Sequence, residues 1–198
     1  MTVSTSPARP RTQPPEVRRE QILDSAAQAL VAKGLTAMTV ADVVAGAGIA
    51  KGTFYLYFNS KEELLAALQA RYTESLITRA DAVLAGPGSH ARRLDEFVAA
   101  VLDFHASQVH LHHALFRDAG LRDDQSMRHL ESLLATFISD GAAAGAFHTP
   151  APQFAAAFVV HGLHGVLPPF LHQRAHSRAQ FLAAATAITR QALGTDTT

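Results

Sequence analysis

Residues 51–57 concentrate ammonium, hydroxyl and phenol groups in a short stretch of chain. The four side chains are those of Lys51, Thr53, Tyr55 and Tyr57. Groups of these types donate hydrogen bonds to phosphate oxygens and to the edges of bases. Gly52 adds a position without a side chain, where a backbone can approach another molecule closely. The segment therefore predicts an element that contacts DNA.

A helix-turn-helix pattern surrounds this segment. Thr39 begins a short helix, and Asp42 follows three residues later in a capping-box arrangement. A glycine-containing turn comes next, and Ala50–Phe58 is predicted as a second short helix. The apolar side chains expected to pack these two helices together are Val43, Val44, Ile49, Phe54 and Phe58. This packing leaves the polar groups of residues 51–57 at or near the exposed face.

Longer helices are predicted on both sides of the pattern. An apolar stripe at three- and four-residue spacing (Ile22, Leu23, Ala26, Ala27, Leu30, Val31) predicts a helix over Glu16–Lys33, which Gly34 ends. Ser60 and Glu63 form a second capping pair and begin a long helix that reaches about Ala82. Further helices are predicted at 92–113, 114–121, 127–144, 153–167 and 178–193. With no alternating strand pattern of useful length, the predicted fold class is all-α.

The charge and composition of the chain exclude several classes of function. The chain has 17 Lys and Arg residues against 17 Asp and Glu residues, which argues against a polybasic coat for nucleic acid or membrane. Any DNA contact then depends on a few placed groups, and we expect a modest dependence of DNA affinity on salt. The absence of cysteine excludes disulfides and thiolate sites and fits a reducing cytoplasm. No segment has the length of a membrane span, so a cytoplasmic protein without membrane contact is predicted.

At these residues the sequence resembles the TetR family of bacterial transcriptional regulators. The resemblance rests on Gly34, Thr39-Val40 and Asp42-Val43, on Ala47 to Tyr55, on Tyr57-Phe58, and on Ser60 to Leu65. It implies an all-α chain in which an N-terminal three-helix, helix-turn-helix DNA-binding domain joins a helical ligand-binding and dimerisation domain. Residues 1–15 would be a disordered arm, 16–65 the DNA-binding domain, and 66–198 the effector-binding and dimerisation domain.

The resemblance implies a ligand-responsive DNA-binding regulator and not an enzyme. Its partners would be a palindromic double-stranded DNA operator, an unidentified small-molecule effector that releases the repressor, and a second copy of the chain. A metal-sensing or activating regulator of the same fold is the alternative. The competing classes are a His-ligated metal enzyme and a helical protein-interaction module, and the latter leaves the polar groups of residues 51–57 unexplained. The enzyme reading finds no HExxH, GxSxG or P-loop pattern, and no cofactor is predicted.

The resemblance also implies DNA-binding roles for eight residues. They are Thr39, Ala50, Lys51, Gly52, Thr53, Tyr55, Tyr57 and Lys61. Residues 50–58 would enter the major groove, while Thr39, Tyr57 and Lys61 would hold phosphates, with Thr39 and Lys61 each near a helix N-terminus. The competing readings are that Tyr55 fills the core and that Lys61 is a solvated charge. Leu56 is assigned no role.

Two groups of residues in the C-terminal half are expected to bind the effector and the second chain. The predicted effector site is mostly apolar and consists of Phe97, Val101, His105, Leu134, Phe137, Phe158 and His161. The predicted dimer interface uses small and apolar residues of the last two long helices, namely Gly162, Leu163, Gly165, Leu182, Ala185 and Ile188. Pro168 and Pro169 are expected to end the first of these helices.

All 11 histidines lie at or after His90. Helical spacing relates His161 to His164, His105 to His112, His110 to His113 and, if that stretch is helical, His172 to His176. A metal site needs a third ligand and an outer shell as well, so no metal ligand is assigned. His161 or His164 is expected to be a neutral hydrogen-bonding residue of the pocket or dimer. The pairs 112–113 and 172–176 are expected to be exposed or interfacial.

Overall fold

The described part of the chain is helical. The structure, a computed structural model, describes residues 13–118, 124–172 and 177–195, with side chains for 13–116, 127–165 and 177–195. The α-helices are α1 (Pro15–Ala37), α2 (Val40–Ala47), α3 (Lys51–Phe54), α4 (Lys61–Leu84), α5 (His90–Ser107), α6 (Val109–His112), α7 (Asp124–Ala143), α8 (Pro152–His172) and α9 (Arg178–Ala192). A π-helical turn at His113–Asp118 follows α6. The predicted all-α class is confirmed, and residues 1–12 of the predicted arm, with Arg9 and Arg11, lie outside the described residues.

The chain divides into two compact units, Met1–Leu68 and Gln69–Thr198. The core of the first unit contains Ile22, Leu23, Ala26, Leu30, Met38, Val43, Phe54, Phe58, Leu64 and Leu68. The stripe predicted on α1 therefore faces this core, except that Val31 is 46% exposed. Gly34 has a φ of 75°, a left-handed value that glycine adopts readily, and it breaks the helical path of α1 at the predicted position.

A close approach between α1 and α2 holds the first unit together. The buried Ser25 hydroxyl donates to the carbonyl of Val43 at 2.8 Å. Gly46 lies beside it, and a Cβ atom at that position would stand 2.3 Å from Ser25 Oγ. Glycine is therefore required at this contact because any side chain would displace the serine hydroxyl.

In the second unit, α7 packs on α8 and α5 packs on α9. Two ion pairs fix α9 to α5, one between Arg190 and Asp95 and one between Arg178 and Asp103. The end of α9 is held by the amide of His148, which donates to the carbonyl of Leu193 at 2.8 Å. No described helix is long and apolar enough to cross a membrane.

The predicted helix over residues 92–113 is broken in the structure. α5 ends at Ser107, and Gln108 leaves the helical region with φ −119° and ψ 17°. The Ser107 hydroxyl donates to the carbonyl of Phe104 at 2.8 Å and so competes with the main-chain ladder at this point. Neither glycine nor proline marks the break, which is why the pattern did not show it.

Two other helix boundaries differ from the predictions. The predicted helix Ala50–Phe58 is α-helical only to Phe54, and its last turn is tighter because the amides of Leu56 and Tyr57 bond to carbonyls three residues back. The prediction that Pro168 and Pro169 end their helix is wrong, since α8 continues to His172. Proline removes a main-chain donor, but its fixed φ is a helical value, so the backbone can continue.

Candidate functional site

The N-terminus of α2 is closed by a reciprocal capping box. The amide of Asp42 donates to the Thr39 hydroxyl oxygen at 3.3 Å, and the Asp42 carboxylate accepts from the Thr39 amide at 3.0 Å and from its hydroxyl at 2.9 Å. The Lys33 ammonium donates to the other carboxylate oxygen at 2.7 Å. Lys33 first, and then the Thr39 amide, hold the pKa of Asp42 at about 2. Both Thr39 donors are thus engaged within the unit, and its phosphate contact stays a prediction.

A left-handed glycine makes the turn between α2 and α3. Gly48 has a φ of 64° and a ψ of 35°, and its amide donates to the carbonyl of Ala45. The next amide, of Ile49, returns to the carbonyl of Val44 at 3.1 Å and satisfies another carbonyl at the end of α2. α3 then begins after Ala50, whose side chain makes no cap hydrogen bond.

α3 and the turn after it separate a buried aromatic face from an exposed polar one. Phe54 and Phe58 are 0% and 2% exposed, with ring centroids 5.9 Å apart. Tyr55 touches the Phe54 ring edge-on at 5.2 Å, yet it is 47% exposed. Tyr55 therefore lies at the surface rather than filling the core.

The remaining residues of this segment are available to different degrees. Lys51 is exposed and makes no hydrogen bond or ion pair with the residues that the structure describes. Gly52 is exposed with open space at its missing Cβ, while Thr53 and Tyr57 are half-buried. Leu56, to which the sequence assigned no role, is 82% exposed beside them. Because Leu56 does not share the helix face of Phe54 and Phe58, the sequence could have predicted that it is exposed.

Lys61 has a structural role at the start of α4. Its ammonium donates to the carbonyl of Leu35 at 2.5 Å and to that of Met38 at 2.6 Å. These bonds tie the start of α4 to the last turn of α1 and to the residue that follows α1. Lys61 is therefore not simply a solvated charge, and with two of its three donors engaged its phosphate contact stays a prediction.

Three of the predicted effector-site residues meet in the second unit. Phe97, Val101 and His105 line an internal cavity of about 20 Å³. The other residues that line it are Leu76, Met127, Leu130, Val160, Leu163 and His164. Mostly apolar walls with two imidazoles match the predicted character of the site, although the volume suits only a water-sized occupant.

The other four predicted effector-site residues lie elsewhere in this unit. Leu134 and Phe137 are buried in the core but do not line this cavity. Phe158 is 57% exposed. His161 is exposed, and its Nε2 atom lies 2.8 Å from a carboxylate oxygen of Glu131.

The comparisons with known proteins agree on the N-terminal unit. The family model described as "Bacterial regulatory proteins, tetR family" matches residues 22–68, which span the capping box, the turn and the polar face of α3. The N-terminal unit of this chain is therefore similar to that family.

Relatives of this chain are named as transcriptional regulators. The uncharacterized HTH-type regulator YvdT of Bacillus subtilis is 34% identical over 128 residues, which are 61% of each chain. The HTH-type transcriptional repressor KstR2 of Mycobacterium tuberculosis is 33% identical over 95 residues, 46% of this chain and 48% of the repressor. The matches thus span about three fifths or less of these relatives.

A solved structure shares the fold along most of this chain. Reduced NemR of E. coli superposes with a TM-score of 0.76 at 21% identity, and the match covers 91% of this chain and 100% of NemR. The likeness therefore extends to the second unit, where the sequence alone shows little.

The residues predicted at the dimer interface lie on α8 and α9. Gly162, Gly165 and Ile188 are exposed, the last at 60%. Leu163 and Ala185 are buried within the chain, and Leu182 is half-buried. On α8 the exposed Phe154 and Phe158 continue the line of Gly162 and Gly165 at helical spacing, which leaves an apolar stripe on one face.

The histidines are arranged differently from the prediction. His112 is 5% exposed, so the expectation that it lies at the surface is wrong, and the break at Gln108 explains its burial. Burial lowers the pKa of His105, and burial followed by the neighbouring His161 lowers that of His164, so both favour the neutral form. His176 lies outside the described residues.

Proposed function

We propose that this chain is a transcriptional repressor that binds a palindromic operator as a homodimer and is released by an effector. Residues 16–65 would bind DNA, and 66–198 would bind the effector and the second chain. The observation that carries the proposal is the exposed polar face of α3 within a unit that matches the tetR family model. The relative KstR2 is named a repressor, whereas FasR of Mycolicibacterium smegmatis, which matches a similar length, is named an activator.

The α3 segment has a buried apolar face and an exposed polar face, and this arrangement supports contact with DNA rather than with another protein surface. Its apolar face is fully used, because Phe54 and Phe58 are buried. Lys51 and Tyr55 are therefore exposed on a segment whose position is fixed. The ammonium of Lys51 and the phenol hydroxyl of Tyr55 make no hydrogen bond with the described residues. Thr53 and Tyr57 would supply hydroxyls beside them, Ala50 and Gly52 would allow close approach, and Thr39 and Lys61 would contact phosphate at helix starts.

Leu56 joins this proposed surface. The Leu56 side chain is 82% exposed. Contact with a thymine methyl group would remove this apolar surface from water, which is favourable. We therefore add Leu56 to the DNA-contacting residues as a base-methyl contact.

The exposed apolar stripe of α8 and Ile188 of α9 support the homodimer. Phe154 and Phe158 are 74% and 57% exposed, which is unfavourable for two aromatic rings on one face unless another surface covers them. Gly162 and Gly165 would let a second helix approach closely. A two-fold dimer would present two α3 segments to half-sites about 34–36 Å apart.

The effector site would be the space around Phe97, Val101 and His105. Its lining comes from α4, α5, α7 and α8, so any ligand larger than the 20 Å³ cavity must separate these helices. A typical organic ligand pocket measures about 300–1,000 Å³. Ligand binding would therefore favour a second conformation, which is the condition for control of DNA binding.

DNase footprinting of the chain on its own upstream intergenic DNA tests this function. We expect two protected half-sites with inverted-repeat symmetry, one helical turn or a multiple apart. A fragment in which one half-site is scrambled is the control and should bind more weakly. Uniform, unsaturated protection along the whole fragment would contradict the proposal.

A further inference from the structure

Three histidines from three separate segments meet in the second unit. They are His105 on α5, His112 on α6 and His164 on α8. One ring nitrogen of each lies within 4.8 Å of those of the other two. The ring centroids are 5.3 Å apart for the first pair and 5.7 and 6.4 Å apart for the pairs that include His164.

The break at Gln108 creates this cluster. In a continuous α-helix, residues seven apart are separated by about 10.5 Å along the axis. The rings of His105 and His112 are only 5.3 Å apart because the chain turns between α5 and α6. The π-helical turn at His113–Asp118 begins directly after His112, and such turns often occur at functional sites.

The hydrogen bond of His105 prepares it to be a ligand. Its Nδ1 atom lies 2.9 Å from the carbonyl oxygen of Val101. A carbonyl only accepts, so Nδ1 carries the proton and Nε2 presents a lone pair. Metal-binding histidines almost always hold their second ring nitrogen in this way.

The surroundings add room and a further polar group. The 20 Å³ cavity touches both His105 and His164, and a space of this size holds one water molecule or ion. The Tyr72 ring lies 5.9 Å from that of His112, and its buried hydroxyl has no hydrogen-bond partner among the described residues. A buried polar group of this kind is usually satisfied by a ligand or water.

We propose that His105, His112 and His164 bind a divalent transition-metal ion of the zinc class. Three imidazoles without a carboxylate or thiolate suit zinc and its borderline neighbours, whereas magnesium and calcium need oxygen ligands. The nitrogen atoms of a tetrahedral zinc site lie about 3.3 Å apart, given Zn–N bonds of about 2.0–2.1 Å, so small side-chain rotations would close the cluster on the ion.

The ion would act as the effector, and this step rests on the proposed function. Its ligands would fasten α5, α6 and α8 to one point beside the predicted effector cavity. Binding would therefore hold these three helices in one fixed arrangement. Such a ligand shifts a conformational equilibrium without needing a large pocket.

Zinc titration of the untagged full chain against a chromophoric zinc indicator tests the site. We expect one tight zinc per chain, and His164→Ala should weaken it by at least about 100-fold, because even loss of an outer-shell partner costs about 10–100-fold. His129→Ala, which removes an exposed imidazole on α7, is the matched control and should bind zinc like the parent. Equal zinc affinity of the parent and His164→Ala, or no binding at all, would overturn the proposal and leave the cluster as aromatic packing.

A second measurement needs no variant. NMR spectra of the imidazole groups in the parent chain should show three histidines changing together up to one equivalent of zinc. Changes confined to other histidines would overturn the assignment of ligands.

Repeating the DNA-binding measurement with zinc separates the two proposals. We expect zinc to change the operator affinity of the parent and of His129→Ala, but not that of His164→Ala. An operator affinity that stays the same when zinc is bound at the site would overturn the effector role. Absence of operator binding with and without zinc would contradict the repressor function, while the zinc titration would still decide the site.

Discussion

At the level of single residues, the carboxylate of Asp42 binds three donors at once. It accepts from the Thr39 amide and hydroxyl and from the Lys33 ammonium, which joins the start of α2 to α1. The Thr39 and Asp42 spacing was sufficient to predict the capping box, since both partners lie within one turn. The Lys33 contact, nine residues away, depends on how α1 packs on α2 and was not predictable.

Lys33→Met should raise the pKa of Asp42 from about 2 toward its ordinary value of about 3.9. The pKa is depressed in the folded state, so this interaction stabilises the fold above about pH 3.9 and is lost as the pH falls toward 2. NMR titration of the Asp42 carboxyl carbon measures the shift. Lys51→Met removes a charge without touching Asp42, and there the pKa should stay about 2. An unchanged pKa in Lys33→Met would show that the Lys33–Asp42 contact is not the cause of the low value.

At the level of elements, α1, α2 and α4 follow from apolar spacing, caps and glycines, because these signals are local. The break at Gln108 and the passage of α8 through Pro168 and Pro169 do not follow from such signals. The candidate site divides in the same way. The polar face of α3 was predictable from its spacing, whereas the cluster of His105, His112 and His164 needs a chain break and a distant helix.

Gly46→Ala tests the contact between α1 and α2. Alanine favours a helix by about 1 kcal/mol over glycine, but here its Cβ would displace the Ser25 hydroxyl from the buried Val43 carbonyl, at about 1–3 kcal/mol. We expect a net loss of about 1 kcal/mol in the free energy of unfolding, measured by urea denaturation.

Two controls accompany this substitution. In a Ser25→Ala background the nearest remaining atom is Cβ at 3.5 Å, so Gly46→Ala should become neutral or stabilising. Gly52→Ala meets open space and should not destabilise the chain, although it should weaken DNA binding. Additive effects of the Ser25 and Gly46 changes would show that the close approach does not govern the contact.

At the level of the whole molecule, the net charge is near zero and one face of α8 is an exposed apolar stripe. We therefore expect DNA affinity to depend on the two-fold symmetry of a dimer rather than on the total charge of the chain. A single α3 offers few contacts, and two copies held by one dimer add their binding energies at one operator. Dimerisation through α8 and α9 is therefore as necessary to the proposed function as Lys51 and Tyr55.

Ile188→Glu should convert the dimer to a monomer at micromolar concentration, because it would bury a carboxylate in an apolar interface. Sedimentation velocity measures the change, and operator affinity should fall with it. Val31→Glu, on the exposed side of α1, is the matched control and should stay dimeric. A dimer that survives Ile188→Glu and Phe158→Glu together would place the interface elsewhere.

The most direct test of DNA reading by the α3 segment is operator affinity, measured by fluorescence anisotropy, for Lys51→Ala and Tyr55→Ala. Each should weaken binding by about tenfold or more, since one good contact contributes about 1–3 kcal/mol, and each should leave the dimer intact. Arg128→Ala removes one charge from an exposed residue of α7 and should bind DNA like the parent. Parental affinity in the Lys51→Ala, Tyr55→Ala double variant would contradict the account.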